Sequence, residues 1–250
     1  MKNIFPISNK FIYDLAAKRI YLRKMDLKLT YYNIAGYENK IDYETAEKRT
    51  GYDYKLINKI ATGNFKGRNN RYLLTETYTD LLVDKLKFSK HEMLWGNDDE
   101  IRMYSVELFE CLIRDCINED VNFTDNIFSL LSNFGKESSE VTPEKIDRLL
   151  KMHYDNQYTV RDQFIRLFAD FTHNKYYSEN YVENGGVLES IKEIKPVTIF
   201  NDNAYLTFKK LPESIDRFVQ TEFSSLLMNI FLKQNRNDQV CKMKNLKLKL

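Results

Sequence analysis

The stretch Tyr54–Gly63, YKLINKIATG, constrains the fold more than any other part of the chain. Ile57 and Ile60 stand three apart, so both lie on one face of a helix that advances about 100° per residue. Gly63 is a stop signal for that helix, and Gly51 supplies a bend before it. A helix so short is unstable alone, so its two isoleucines must be buried against neighbouring helices. Elsewhere the apolar residues also recur at helical spacing. Only eight glycines and four prolines occur in 250 residues, too few for a turn-dense all-β fold. A mainly α architecture is expected.

The flanking segments extend this reading. Ile12, Leu15, Ala16 and Ile20 form one face of a helix over 10–29, with Lys18, Arg19, Arg23 and Lys24 near or opposite it. A short helix follows within Leu29–Gly36, capped by Thr30. Residues 37–53 read as a charged loop with at least one helical turn, and 64–71 as a basic loop rich in Gly and Asn. Leu74, Tyr78, Leu81, Leu82 and Leu86 form the stripe of a helix over 73–88, and Ser89 caps a last short helix ending at Trp95–Gly96. Asn97–Asp98–Asp99 is the best boundary, dividing the chain into 1–96 and 97–250. Beyond it, helices are expected near 100–118, 124–134, 143–154 and 158–175, the third opened by Thr142–Pro143. Gly185–Gly186 and Pro196 interrupt 176–212, where VTIF (197–200) reads as a short strand. Pro212 opens a long helix with Ile215, Phe218, Val219, Phe223, Leu226, Leu227 and Ile230 on its apolar face. That face suits a dimer contact or burial within its own domain.

Charge separates the two parts. Residues 1–75 hold 15 Lys and Arg against 7 Asp and Glu, a net of +8 in a chain whose total is +2, so the remainder is −6. A basic front on an acidic body suits a protein whose front meets a polyanion. Cys111, Cys116 and Cys241 give an odd count with no CxxC pair, which points to a reducing cytoplasm. No apolar run is long enough for a membrane span, so no membrane association is expected.

Residues 1–96 carry the elements of a helix-turn-helix. Ile34–Ala35 supplies an apolar–small pair where two helices cross. Ile57 and Ile60 face inward, leaving Asp53, Tyr54, Lys55, Asn58 and Lys59 outward on the helix near 54–62. These elements, RIYLRKMDLKLTYYNIAG (19–36), INKIATG (57–63) and YLLTETYTDLLVDKLKFSKHEMLWG (72–96), resemble the lambda-repressor-like (Xre) helix-turn-helix family of transcriptional regulators over about 90 residues. The resemblance implies that Tyr54, Lys55, Asn58 and Lys59 face bases, while Arg23, Lys66, Arg68 and Arg71 contact phosphate. The chain departs from the family in the long separation of Ala35 from Ile57. Either residues 37–51 are an insertion, or Tyr43–Thr50 is the second helix with Gly51 as the turn. The second register buries Glu47 at the helix crossing, so the insertion is preferred.

Other chemistry is sparse. His91, His153 and His173 have no cysteine or carboxylate at metal-ligand spacing, apart from the pair Asp170–His173, which reads as a helix-end histidine near a carboxylate. GxGxxG and GxxxxGK[ST] are absent, and Ser138, Ser139 and the cysteines have no base beside them in sequence. Neither an enzyme nor a cofactor is expected. The aromatic run FIRLFADFTHNKYYSENY (164–181) reads as core. The expectation is a mainly α cytoplasmic protein with a helix-turn-helix domain at 1–96 and an all-helical dimerisation or sensing domain at 97–250. It would bind double-stranded DNA as a homodimeric repressor, with a peptide or protein effector on the C-terminal domain. The competing reading is a protein-interaction factor of phage, plasmid or defence origin that uses the same fold as a docking surface.

Overall fold

The computed structural model describes residues 5–45, 52–64, 74–134, 140–172, 180–184, 187–191 and 211–247. Among these the chain is mainly helical. The helices are α1 (Pro6–Asp26), α2 (Tyr31–Ile34), α3 (Lys40–Thr45), α4 (Tyr54–Ala61), α5 (Glu76–Leu86), α6 (Lys90–Trp95), α7 (Asp98–Asn118), α8 (Thr124–Ser132), α9 (Pro143–Lys151), α10 (Val160–Thr172), α11 (Leu211–Phe218) and α12 (Ser224–Lys247). A π-helical turn, Val219–Phe223, joins the last two. No described helix is long and apolar enough to cross a membrane.

One pair of strands also forms, β1 (Asn180–Asn184) and β2 (Val187–Ile191), antiparallel with Asn184 opposite Val187. The sequence reading treated Gly185–Gly186 only as a break. Two glycines between YVEN and VLES also make a two-residue hairpin signal, because such turns need positive φ. The strand expected at 197–200 lies outside the described residues.

Helix starts follow their caps. The Ser89 hydroxyl accepts from the Glu92 N–H at 3.0 Å, opening α6. Thr142 caps α9, with Pro143 in the first turn where no N–H is needed. Asn97 and Glu100 form a reciprocal capping box at the start of α7, with bonds of 2.9 and 3.1 Å.

Helix α7 runs antiparallel to α1 and holds it at both ends. At one end the Asp115 carboxylate accepts from the Ile7 and Ser8 N–H groups at 3.1 and 2.7 Å, satisfying donors that the first turn of α1 leaves open. At the other, Arg19 joins the end of α6 to Glu100. The sequence reading set Arg19 among the cations near or opposite the apolar face. It is in fact buried, at 8% exposure. Residues 12, 16, 19 and 20 share one helical stripe, which carries Arg19 inward with Ile12, Ala16 and Ile20.

Burial pushes the Asp115 carboxyl above the ordinary carboxylate range, against the two N–H groups that favour its charge. A carboxyl whose pKa is higher folded than unfolded holds its proton more tightly in the native state. Its contribution is therefore complete below the unfolded pKa and is lost as pH rises through the folded one. Asp115→Asn keeps one acceptor and removes the titration. The stability of the wild type relative to Asp115→Asn is expected to fall as pH rises above the ordinary carboxylate pKa of about 4, measured by urea unfolding. A pH-independent difference would contradict this.

The buried side chains of residues 5–96 and 97–230 form one continuous cluster across the short link Gly96–Asn97, and Asp98 and Asp99 lie in the first turn of α7. The centre of the body is aromatic. Phe164 packs edge-on to Phe109 at 5.1 Å, and Phe168 edge-on to Trp95 at 5.6 Å and Phe218 at 5.2 Å. Ile215, Phe218, Val219, Phe223, Leu226, Leu227 and Ile230 are all buried within the same chain. The apolar face considered above for dimerisation is therefore covered by the protein's own α8, α10 and neighbouring elements and is not open to a partner.

Candidate nucleic-acid interface

Helix α4 is placed by its apolar side. Ile57, Ile60 and Ala61 are buried against α1 and α2, where Ile34 and Ala35 are buried as well. Lys55, Asn58, Lys59 and Thr62 lie on the exposed side, spaced i, i+3, i+4 and i+7. The helix ends in a Schellman arrangement: Asn64 N–H donates to the Lys59 carbonyl at 2.9 Å, and Gly63 N–H to that of Ile60 at 3.1 Å. This needs the left-handed φ of +83° at Gly63, which glycine adopts without a Cβ penalty.

The two ends of the segment between α2 and α4 meet where the Tyr52 N–H donates to the Ala35 carbonyl at 3.1 Å. Between them lies α3. Its Tyr43 packs against Tyr37 at 5.1 Å and Tyr54 at 4.7 Å, both edge-on, and Tyr32 lies 4.2 Å from Tyr54. The Tyr32 phenol is pushed up to about 12, chiefly by its hydrogen bond with Tyr54 and then by burial. Ile34 and Ala35 are buried where α2 meets α4, the place that the insertion reading gives them. Glu47 itself lies outside the described residues.

The expected contact residues divide. Lys55, Asn58 and Lys59 are exposed together on α4. Tyr54 is half-buried in the tyrosine cluster, because the insertion supplies rings that cover it. Arg23 is engaged internally: its Nε–H donates to the Leu86 carbonyl at 3.0 Å, and its guanidinium lies over Phe88 at 5.6 Å. It thereby satisfies the C-terminal end of α5. Lys66, Arg68 and Arg71 lie outside the described residues. Asp53, counted on the outward face, is the N-cap of α4 and accepts from the Lys55 N–H at 2.8 Å. A carboxylate therefore occupies the helix end where a phosphate would otherwise be favoured.

The surface lysines fall into two groups, which the sequence alone did not distinguish. Lys10, Lys40, Lys85, Lys87, Lys90 and Lys151 each face a carboxylate. Lys18, Lys24, Lys28, Lys55, Lys59 and Lys233 have no ion-pair partner among the described residues, and Lys233 donates instead to the Tyr154 carbonyl. A signal for the first group was available at Lys10–Asp14, Lys40–Glu44 and Lys151–Asp147, each at i, i+4.

The body holds an open cleft of about 340 Å³ between the first turn of α7 and α10, where Asp98, Arg102, Asp162 and Arg166 set charges of both signs around Tyr158. No group of three or more His, Cys, Asp or Glu among the described residues could hold a metal ion. Asp170 lies in α10, and His173 lies outside the described residues. Cys116 is buried and Cys111 half-buried, and burial raises both thiols. Neither has the lowered pKa that a nucleophile needs. No family model matches the chain, and no curated protein or solved structure matches it.

Proposed function

We propose that the chain is a sequence-specific regulator that binds double-stranded DNA through α4, with a helix-turn-helix arrangement like that of the lambda-repressor-like regulators. The observation that carries this reading is the division of α4. Ile57, Ile60 and Ala61 anchor it to α1 and α2, while Lys55, Asn58 and Lys59 are held out without ion-pair partners. Asparagine offers the paired donor and acceptor that match an adenine edge, and lysine can donate to guanine or to phosphate. Tyr54 and Arg23 contribute by holding the helices in place. A homodimer matches two half-sites and uses a surface other than the apolar face of α11 and α12.

The test is selection of bound fragments from random duplex DNA by the full chain at two salt concentrations. Enrichment of a two-fold site is expected, with affinity falling steeply as salt rises. Asn58→Ala should cost about 1–3 kcal/mol on the selected site and relax its specificity, whereas Lys59→Ala, if it meets phosphate, should weaken all sequences alike and flatten the salt slope. Ile60→Ala should abolish binding by opening a cavity under α4. Absence of binding at low salt would overturn the reading.

A further inference from the structure

We propose that the C-terminal end of α1 is a docking face for an acidic amphipathic segment of a partner protein. Tyr21, Leu22 and Met25 are 44%, 49% and 53% exposed, three apolar side chains on one side of α1 within five residues. Lys18, Tyr21, Leu22 and Met25 fall within about 100° of arc on the helix, so they form one continuous patch. Tyrosine and methionine are residue types enriched at protein interfaces.

The rim of the patch carries a net positive charge, three lysines against the one exposed acid Asp26 beside Leu22. Lys18, Lys24 and Lys28 have no ion-pair partner among the described residues, although six other lysines do. Lys24 is already positioned, with its ammonium 4.6 Å from the Tyr31 ring centroid and 5.8 Å from that of Tyr21. Lys28 has the left-handed φ of +54° that closes α1, with its N–H donating to the Met25 carbonyl at 3.0 Å. Glycine would adopt that conformation with less strain, and the lysine instead sets a cation at the edge of the patch. Asp26 is the one acid within 18–28, and the nearby Asp84 on α5 is shared by Lys85 and Lys87.

These features select the occupant. A second copy meeting the patch about a two-fold would set its lysines against the same lysines, and like charges across an interface are costly. DNA would satisfy the lysines and leave Tyr21, Leu22 and Met25 without contacts. A membrane surface needs a longer apolar face than this short patch. A helix with Leu or Phe on one side and Glu flanking it fills the patch and neutralises the rim. The surface is small, so the affinity should be modest and salt-sensitive.

The test uses the full chain and a labelled helical peptide with Leu and Phe on one face and Glu on the other, read by fluorescence anisotropy. Saturable binding is expected, weakened at least about tenfold by Leu22→Ser with Met25→Ser, and likewise by Lys18→Glu with Lys24→Glu. A peptide with Lys in place of each Glu should bind at least about tenfold more weakly. Leu22 and Met25 are exposed, so in that variant Tm and the fluorescence of buried Trp95 should be unchanged, and it should bind DNA as the wild type does. Three results would each overturn the proposal: no peptide binding, binding indifferent to the Leu22/Met25 variant or to peptide charge, or sedimentation showing a dimer that this variant dissolves.

Discussion

Arg19→Met is expected to destabilise the protein by about 3 kcal/mol, towards the lower end of the range for breaking a buried ion pair. The guanidinium makes three separate bonds. It donates to the Leu94 carbonyl at 3.0 Å, the Trp95 carbonyl at 3.1 Å and Glu100 Oε2 at 3.1 Å. The first two carbonyls end α6 and have no partner in their own helix, apart from the Tyr104 hydroxyl that also donates to Trp95 at 2.7 Å. Removing Arg19 leaves the Leu94 carbonyl and the Glu100 charge under-satisfied. Glu100 is one-third exposed, so water relieves part of the loss, which is why the lower end of the range applies. Arg19→Lys should recover little, because one ammonium cannot span the positions the planar fork reaches. Gly96→Ala strikes the same place from the other side. Gly96 has φ +84° and ψ −177°, and an added Cβ would lie 2.7 Å from Arg19 Nη2 and run into the Glu100 carboxylate. Urea unfolding followed by Trp95 fluorescence measures both variants. A loss below about 1 kcal/mol for Arg19→Met would mean that the clamp is not formed in solution.

Phe164→Ala is expected to cost about 3–5 kcal/mol. The ring is fully buried and lies within 6.1 Å of four others, Phe109, Phe168, Phe218 and Phe223. Those rings come from α7, α10, α11 and the π-helical turn, so no single helix can move to fill the space. The penalty combines lost burial with a cavity that the rigid neighbours cannot close. Phe164→Leu keeps most of the volume and should cost less than about 1.5 kcal/mol. Equal losses for Ala and Leu would show that ring geometry, rather than filled volume, is what the site requires. Thermal unfolding of the two variants decides this.

Much of the helical framework was legible because periodicity and caps are local. Ser89, Asn97 and Thr142 cap helices through side chains within three residues of the groups they satisfy, and the Ile57, Ile60 and Gly63 pattern marks α4. The candidate interface was legible in part. Lys55, Asn58 and Lys59 are exposed by the same periodicity that buries Ile57 and Ile60. Tyr54 and Arg23 obey the same periodicity, yet their environments are set by Tyr43 and Phe88, partners that no local rule identifies. The hairpin at 180–191 was missed because two glycines in an unpatterned stretch signal a break as readily as a turn.

By itself the sequence determined which residues form helices, where most of those helices begin, and which faces are apolar, since each of these depends on neighbours within about four residues. Only the tertiary structure decided what each face meets. It set Arg19 on the end of α6, Asp115 on the first turn of α1, and the apolar face of α11 and α12 inside the chain's own core. Such contacts join residues many tens of positions apart. The free energy of pairing them depends on packing and desolvation, which a local pattern does not encode.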